Sequence, residues 1–163
     1  MACVNAVEWG VLEAQPKALR SVRERRIPRV LLADDQEEIR RTVASLLEHE
    51  CEIVGVAENG MQVLDLVVER SPDVLVLDIV MPLLNGIETA VRLRASGCQS
   101  KVLFVSIHED LDFVDSAISA GGLGYVSKAH LATDLIPGIR TVMENRIYLS
   151  PSLLSAWPFL SLV

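Results

Sequence analysis

The stretch VLVLDIVMP, residues 74–82, decides how the rest of the chain reads. Val74 to Leu77 form an unbroken apolar run that leads straight into Asp78, with Met81-Pro82 just beyond. A continuous run, rather than an alternating one, fits a strand covered on both faces, and such strands belong mostly to parallel sheets. The carboxylate is the oddity. A strand that buries four side chains ends on an aspartate.

The same unit recurs on either side. RVLLAD, EIVGVA, KVLFVSI and LGYVS are further short apolar runs. Each is followed by a segment of helical period. The predicted inward faces are Ile39, Val43, Leu46 and Leu47; Met61, Leu64, Val67 and Val68; Ile87, Ala90, Val91 and Ala95; Leu111, Val114, Ala117 and Ile118; and Leu135, Ile139, Val142 and Met143. Asn59-Gly60 has the composition of a hairpin turn, but the helical period after it argues against one. Thr133 is the expected cap of the last helix, which would put Pro137 near its first turn, with Gly138 weakening it. Five strand–helix units between residues 28 and 146 predict an α/β fold with a doubly wound, five-stranded parallel sheet, taken here in the order 2-1-3-4-5. Residues 1–27 read as an N-terminal extension and 147–163 as a C-terminal tail or shortened linker.

Composition narrows the function. The chain has 163 residues, half of them hydrophobic, and a net charge of −7. That balance argues against a general nucleic-acid binder, which needs lysine and arginine in excess. A basic stretch at 17–29 (KALRSVRERRIPR) stands apart and reads as a solvated extension or a contact for an acidic partner. Cys3, Cys51 and Cys98 are widely spaced, fit no zinc pattern, and read as free thiols of a reducing compartment. The N-terminus lacks the positive start of a signal peptide. No apolar run reaches the roughly 18 residues of a membrane span. The expected location is the cytoplasm, with no membrane contact.

Ligands of open α/β sheets bind beyond the carboxyl ends of the strands. Asp34 and Asp35 close the first strand and Asp78 the third, and in this strand order the two are neighbours. Like charges about 4 Å apart repel by roughly 4 kcal/mol at an effective dielectric of about 20. Such a cluster persists by holding a proton or a cation, and oxygen-only ligands suit Mg²⁺. A plainer reading is that Asp34 or Asp35 caps the following helix. Ser106 ends the fourth strand and Lys128 follows the fifth. Three acids, a hydroxyl and an ammonium on one edge suit phosphoryl transfer to a carboxylate.

LLADD, VLVLDIVMPLLNGIE, VLFVSIHED and GYVSK, in that order, make residues 28–146 resemble the receiver domain of two-component response regulators. The resemblance implies the flavodoxin-like receiver fold, with Asp78 as phosphoacceptor. It implies Mg²⁺ held by Asp34, Asp35, Asp78 and the backbone carbonyl of Val80. Ser106 and Lys128 would bind the phosphoryl group, and Ser106 and Tyr125 would form the switch, Tyr125 turning inward on phosphorylation. The implied partner is a sensor histidine kinase or phosphotransfer protein. The implied output is a changed surface, most readily for transcription control, with self-phosphorylation and dephosphorylation the only chemistry. A homodimer stays open.

Some features depart from the family pattern. Ala129 follows Lys128 where many receivers have proline. Gly122 stands where alanine is usual and is expected to loosen the start of the fifth strand. YLSP at 148–151 resembles the linker of the branch that ends in a helix-turn-helix domain, but only SLLSAWPFLSLV follows, so no direct DNA binding is expected of this chain. Two alternatives stay in view: a receiver-like module that binds partners without phosphorylation, and a Mg²⁺-dependent phosphatase of the haloacid-dehalogenase type. The latter needs a second acid two residues after the first, and neither Asp34 nor Asp78 has one.

Overall fold

The computed structural model describes residues 26–156. Most of the basic stretch 17–29, and residues 157–163, lie outside that range. Strands β1 (Arg29–Ala33), β2 (Glu52–Ala57), β3 (Val74–Asp78), β4 (Lys101–Ser106) and β5 (Gly124–Ser127) alternate with helices α1 (Glu37–Leu47), α2 (Gly60–Arg70), α3 (Gly86–Ala95), α4 (Leu111–Ser119) and α5 (Leu131–Met143). A 3₁₀ turn, Lys128–His130, joins β5 to α5. After these come a short strand β6 (Tyr148–Leu149) and a helix α6 (Pro151–Ala156). All strand pairs are parallel, in the order β2-β1-β3-β4-β5-β6. The doubly wound sheet expected from the sequence is therefore present, with a sixth strand added at its edge.

The continuous apolar runs are buried on both faces, as their composition requires. Val30 and Leu32 join Val43, Leu47, Leu135 and Ile139 in one core layer under α1 and α5. Leu31, Leu75 and Leu77 join Val63, Ala90, Val114 and Ala117 in the other, under α2, α3 and α4. Val54 has no partner in the register between β1 and β2, so the exposed edge strand carries a bulge.

Two helices are rolled relative to the expected faces. On α2, Met61 and Val68 are exposed, and Gly60, Val63 and Val67 point inward. On α3, Val91 and Ala95 are exposed, and Gly86, Thr89, Ala90 and Leu93 are buried. Each of these helices starts on a glycine packed tightly against its surroundings. A Cβ on Gly60 would lie 2.0 Å from Thr89 Oγ1, and one on Gly86 would lie 2.0 Å from the Asp78 carbonyl oxygen. Hydrophobic period alone does not encode such close approach.

Thr133 does not cap the last helix. The helix begins at Leu131, Thr133 bonds to the His130 carbonyl and to Asp134, and Pro137 falls inside. The proline supplies no N–H to the carbonyl one turn back. Gly138 has a packing role: a Cβ there would sit 3.2 to 3.4 Å from Tyr148, Val126 and Leu103. Gly122 likewise does not loosen β5; the Phe104 ring would lie 2.6 Å from a Cβ at that position. Its missing side chain makes room for an aromatic core residue.

Residues 147–156 are not a free tail. Tyr148 and Leu149 pair with Gly124 and Tyr125, and Leu153 is fully buried in the same core layer as Tyr125. Leu153→Ala is expected to destabilise the domain by about 2–4 kcal/mol, the range for a buried leucine, when measured by denaturant unfolding. A loss below about 0.5 kcal/mol, typical of a surface site, would contradict this packing.

Candidate functional site: an acidic cluster at the carboxyl edge of the sheet

Asp34 is the first residue past β1, and its N–H still bonds to the Ala57 carbonyl at 3.1 Å. Its Oδ1 accepts from the Gln36 N–H at 2.8 Å and so closes the turn into α1. This is an Asx turn ahead of the helix, and neither Asp34 nor Asp35 caps α1. Asp35 is exposed, and Gln36, at the cap position, makes no side-chain cap bond. Asp78 is the last residue of β3 and is 5% exposed. One carboxylate oxygen from each of Asp34, Asp35 and Asp78 lies within 4.8 Å of the others.

Lys128 reaches this cluster from the turn after β5. Its Nζ stands 2.7 Å from Asp34 Oδ2 and 3.1 Å from Asp78 Oδ2. All three side chains are nearly buried. One ammonium between two buried carboxylates leaves a net negative charge. Burial, then the neighbouring Asp34, pushes the Asp78 carboxyl up from 3.8 to about 6, against the pull of Lys128 and the Val80 N–H. Asp78 is therefore ionised at neutral pH yet readily takes up a proton or a cation.

The loop after Asp78 is held by backbone. Asn85 caps α3 by accepting from the Glu88 N–H at 2.8 Å, and the Gly86 N–H bonds to the Ile79 carbonyl at 2.8 Å. No side chain fits at Gly86, because the Asp78 carbonyl occupies that space. Gly86→Ala is expected to cost about 3 kcal/mol and to move Asp78 off the cluster. Unfolding curves together with the titration of Asp78 by NMR would check both parts; wild-type values for both would refute the close approach.

Ser106 ends β4 opposite Ser127 of β5 and is 1% exposed. Its Oγ accepts from the His108 N–H at 3.1 Å. The Tyr125 hydroxyl donates to the His108 carbonyl at 2.6 Å, and Tyr125 is completely buried. Tyr125 thus stands in the inward position that the resemblance assigns to the switch aromatic. The His108 ring stacks on Phe113, centroids 4.2 Å apart, and steadies the loop whose carbonyl receives the hydroxyl. Ser127 and Glu109, which sequence reasoning passed over, also meet here: Ser127 Oγ donates to Glu109 Oε1 at 2.6 Å and accepts from the Ala129 N–H at 3.3 Å. A serine just before the lysine was the available signal. A cavity of about 410 Å³ lined by Pro72, Asp73, Cys98 and Lys101 lies at the opposite, amino end of β3 and β4 and holds none of these residues.

The fold is matched by the comparisons with known proteins. The model of the response regulator receiver domain matches residues 30–140. The chain belongs to the response-regulator receiver family. The transcriptional regulatory protein DegU of Brevibacillus brevis is 35% identical over 80% of this chain and 56% of its own length. The chemotaxis protein CheY of Halobacterium salinarum is 31% identical over 70% of this chain and 95% of its own length. A solved two-component response regulator of the LuxR family from Aurantimonas superposes with a TM-score of 0.78 at 25% identity, covering 85% of this chain and all of that one. The chain spans 56 to 64% of the length of the curated transcriptional regulators it matches. As a receiver domain it is a module of phosphorylation-based signalling, and its acidic cluster is of the kind that binds Mg²⁺ in this family. Among the described residues no helix is long and apolar enough to cross a membrane.

Proposed function

We propose that the chain accepts a phosphoryl group on Asp78 from the phosphohistidine of a sensor kinase or phosphotransfer protein. The observation that carries this is Lys128 lying between the buried carboxylates of Asp34 and Asp78. In the transfer an Asp78 carboxylate oxygen attacks phosphorus, the P–N bond breaks, and the imidazole leaves. The strand below Asp78 and the packing of Gly86 on its main-chain carbonyl fix the backbone from which the carboxylate projects for in-line approach. Asp34, Asp35, Asp78 and the Val80 carbonyl would hold Mg²⁺, which when bound offsets the charge of the incoming phosphoryl oxygens. The all-oxygen donor set fits that ion. Lys128 would exchange its contact with Asp78 for one to a phosphoryl oxygen, and Ser106 would donate to another.

The output follows from the loop 106–110. Ser106 currently accepts from the His108 N–H, and Tyr125 donates to the His108 carbonyl. Drawing Ser106 to a phosphoryl oxygen would reset this loop and the face formed by α4, β5 and α5. The Tyr125 bond to the His108 carbonyl would couple that movement to the core of the domain. The transcriptional regulators among its relatives support control of transcription as the downstream role.

The test is the intact mass of the full chain after incubation with acetyl phosphate, with and without Mg²⁺. Gain of one phosphoryl group only with Mg²⁺ is the expected result. No gain under either condition would instead favour a partner-binding module that does not phosphorylate.

A further inference from the structure

The turn that carries Lys128 is anchored from outside the five-stranded sheet. Ser150 lies between β6 and α6, is 0% exposed, and its N–H bonds to the Tyr125 carbonyl at 3.0 Å. Its carbonyl accepts from the Leu153 and Leu154 N–H groups, so Ser150 occupies the cap position of α6, with Pro151 as the first helical residue. A serine there usually turns its hydroxyl onto its own helix. Here the Oγ instead accepts from the Ser127 N–H at 3.0 Å, a bond buried at both ends.

Ser127 is then held at several atoms. Its N–H is taken by Ser150, and its Oγ contacts both Glu109 and the Ala129 N–H. Lys128 sits between Ser127 and Ala129, and its ammonium must span to two carboxylates, one just past β1 and one at the end of β3. A turn pinned on both sides of the lysine fixes where that ammonium starts. Glu109 belongs to the loop that also carries the His108 contacts to Ser106 and Tyr125.

We infer that Ser150 is a positioning residue for Lys128, so that the segment 148–156 completes the phosphoryl-accepting site rather than merely following it. The inference rests on the reading of Asp78 as phosphoacceptor. Loss of the Ser150 hydroxyl leaves the buried Ser127 N–H without its partner, releases the turn, and lets Lys128 sample positions away from Asp78. Because Lys128 and Mg²⁺ both seek the same carboxylates, a released lysine alters metal binding as well as transfer.

The experiment compares wild type, Ser150→Ala, Ser150→Thr, Lys128→Ala and the double variant Ser150→Ala/Lys128→Ala, all in the full chain. Two readouts are taken: amide exchange at Ser127 in metal-free protein, and the rate of phosphorylation by acetyl phosphate with Mg²⁺. Ser150→Ala is expected to exchange the Ser127 amide at least tenfold faster and to slow phosphorylation about fivefold. Ser150→Thr, which keeps the hydroxyl, is expected to stay within twofold of wild type on both. In the Lys128→Ala background, Ser150→Ala is expected to change the rate no further. An equal fivefold loss in that background would show a general structural effect and overturn the inference, as would an unchanged Ser127 amide or an unchanged rate in Ser150→Ala. If wild type itself takes no phosphoryl group, the acceptor reading has failed, and the amide readout still reports whether Ser150 anchors the turn.

Discussion

Asp78→Asn is expected to take no phosphoryl group from acetyl phosphate at any Mg²⁺ concentration, while folding more stably than wild type. The first effect follows from chemistry: an amide oxygen is a far weaker nucleophile than a carboxylate, and the metal loses a charged ligand. The second follows from the cluster. Asp78 in the folded chain holds its proton up to about pH 6, whereas an ordinary aspartate releases it near 3.8. Between those values the folded state binds more protons than the unfolded state. Stability contributed by this group is therefore present at low pH and is lost as pH rises through that window. Asparagine carries no charge at any pH, so the variant lacks that loss. A gain of about 3 kcal/mol at pH 7 that has mostly vanished by about pH 4 is expected from denaturant unfolding at both pH values. Mass spectrometry showing full labelling of Asp78→Asn would remove Asp78 as the acceptor. A variant no more stable than wild type at pH 7 would mean that the carboxylate repulsion is relieved in some other way.

Lys128→Met is expected to act in the opposite direction on stability. It removes the cation that stands 2.7 Å and 3.1 Å from two buried carboxylates and leaves both uncompensated. Breaking a buried pair from one side typically costs about 3–5 kcal/mol. The cost should be largest above pH 7 and shrink towards pH 5, because Asp78 can escape by protonation. Millimolar Mg²⁺ should restore much of it, since a divalent ion replaces the lost charge at the same oxygens. Phosphorylation should fall about 100-fold even with Mg²⁺, the usual effect of deleting one charged donor at a transfer site. The measurement is a melting-temperature series in pH and Mg²⁺ for wild type and variant. A variant that melts like wild type at pH 8 without metal would show that Lys128 does not offset the cluster.

The parallel sheet and the edge on which the acidic cluster lies were legible in the one-dimensional pattern. Continuous apolar runs mark strands buried on both faces, and a run that stops at a carboxylate marks the edge where ligands bind. Asp34, Asp35, Asp78, Ser106 and Lys128 could be found this way because each sits at or just past a strand end. The helix faces were less legible. Met61 and Val91 are apolar and lie at helical spacing, yet both are exposed. Gly60 packs closely on Leu84 and Thr89, and Gly86 on the backbone of Asp78, contacts that hydrophobic period does not encode.

What the sequence determined by itself is thus what depends on local composition and order: five strand–helix units and a set of polar residues at strand ends. What only the tertiary structure decided depends on non-local approach. Tyr125 is inward because the His108 carbonyl, 17 residues earlier, lies within hydrogen-bond reach. Gly122 is needed because Phe104 fills the space above it, and Gly138 because Tyr148 packs there. Residues 148–156 read as a tail because two strand residues and one helical turn and a half carry too little periodicity to announce themselves. They are held by the unpaired edge of β5 and by the cavity that Leu153 fills, and neither exists until the rest of the sheet has formed.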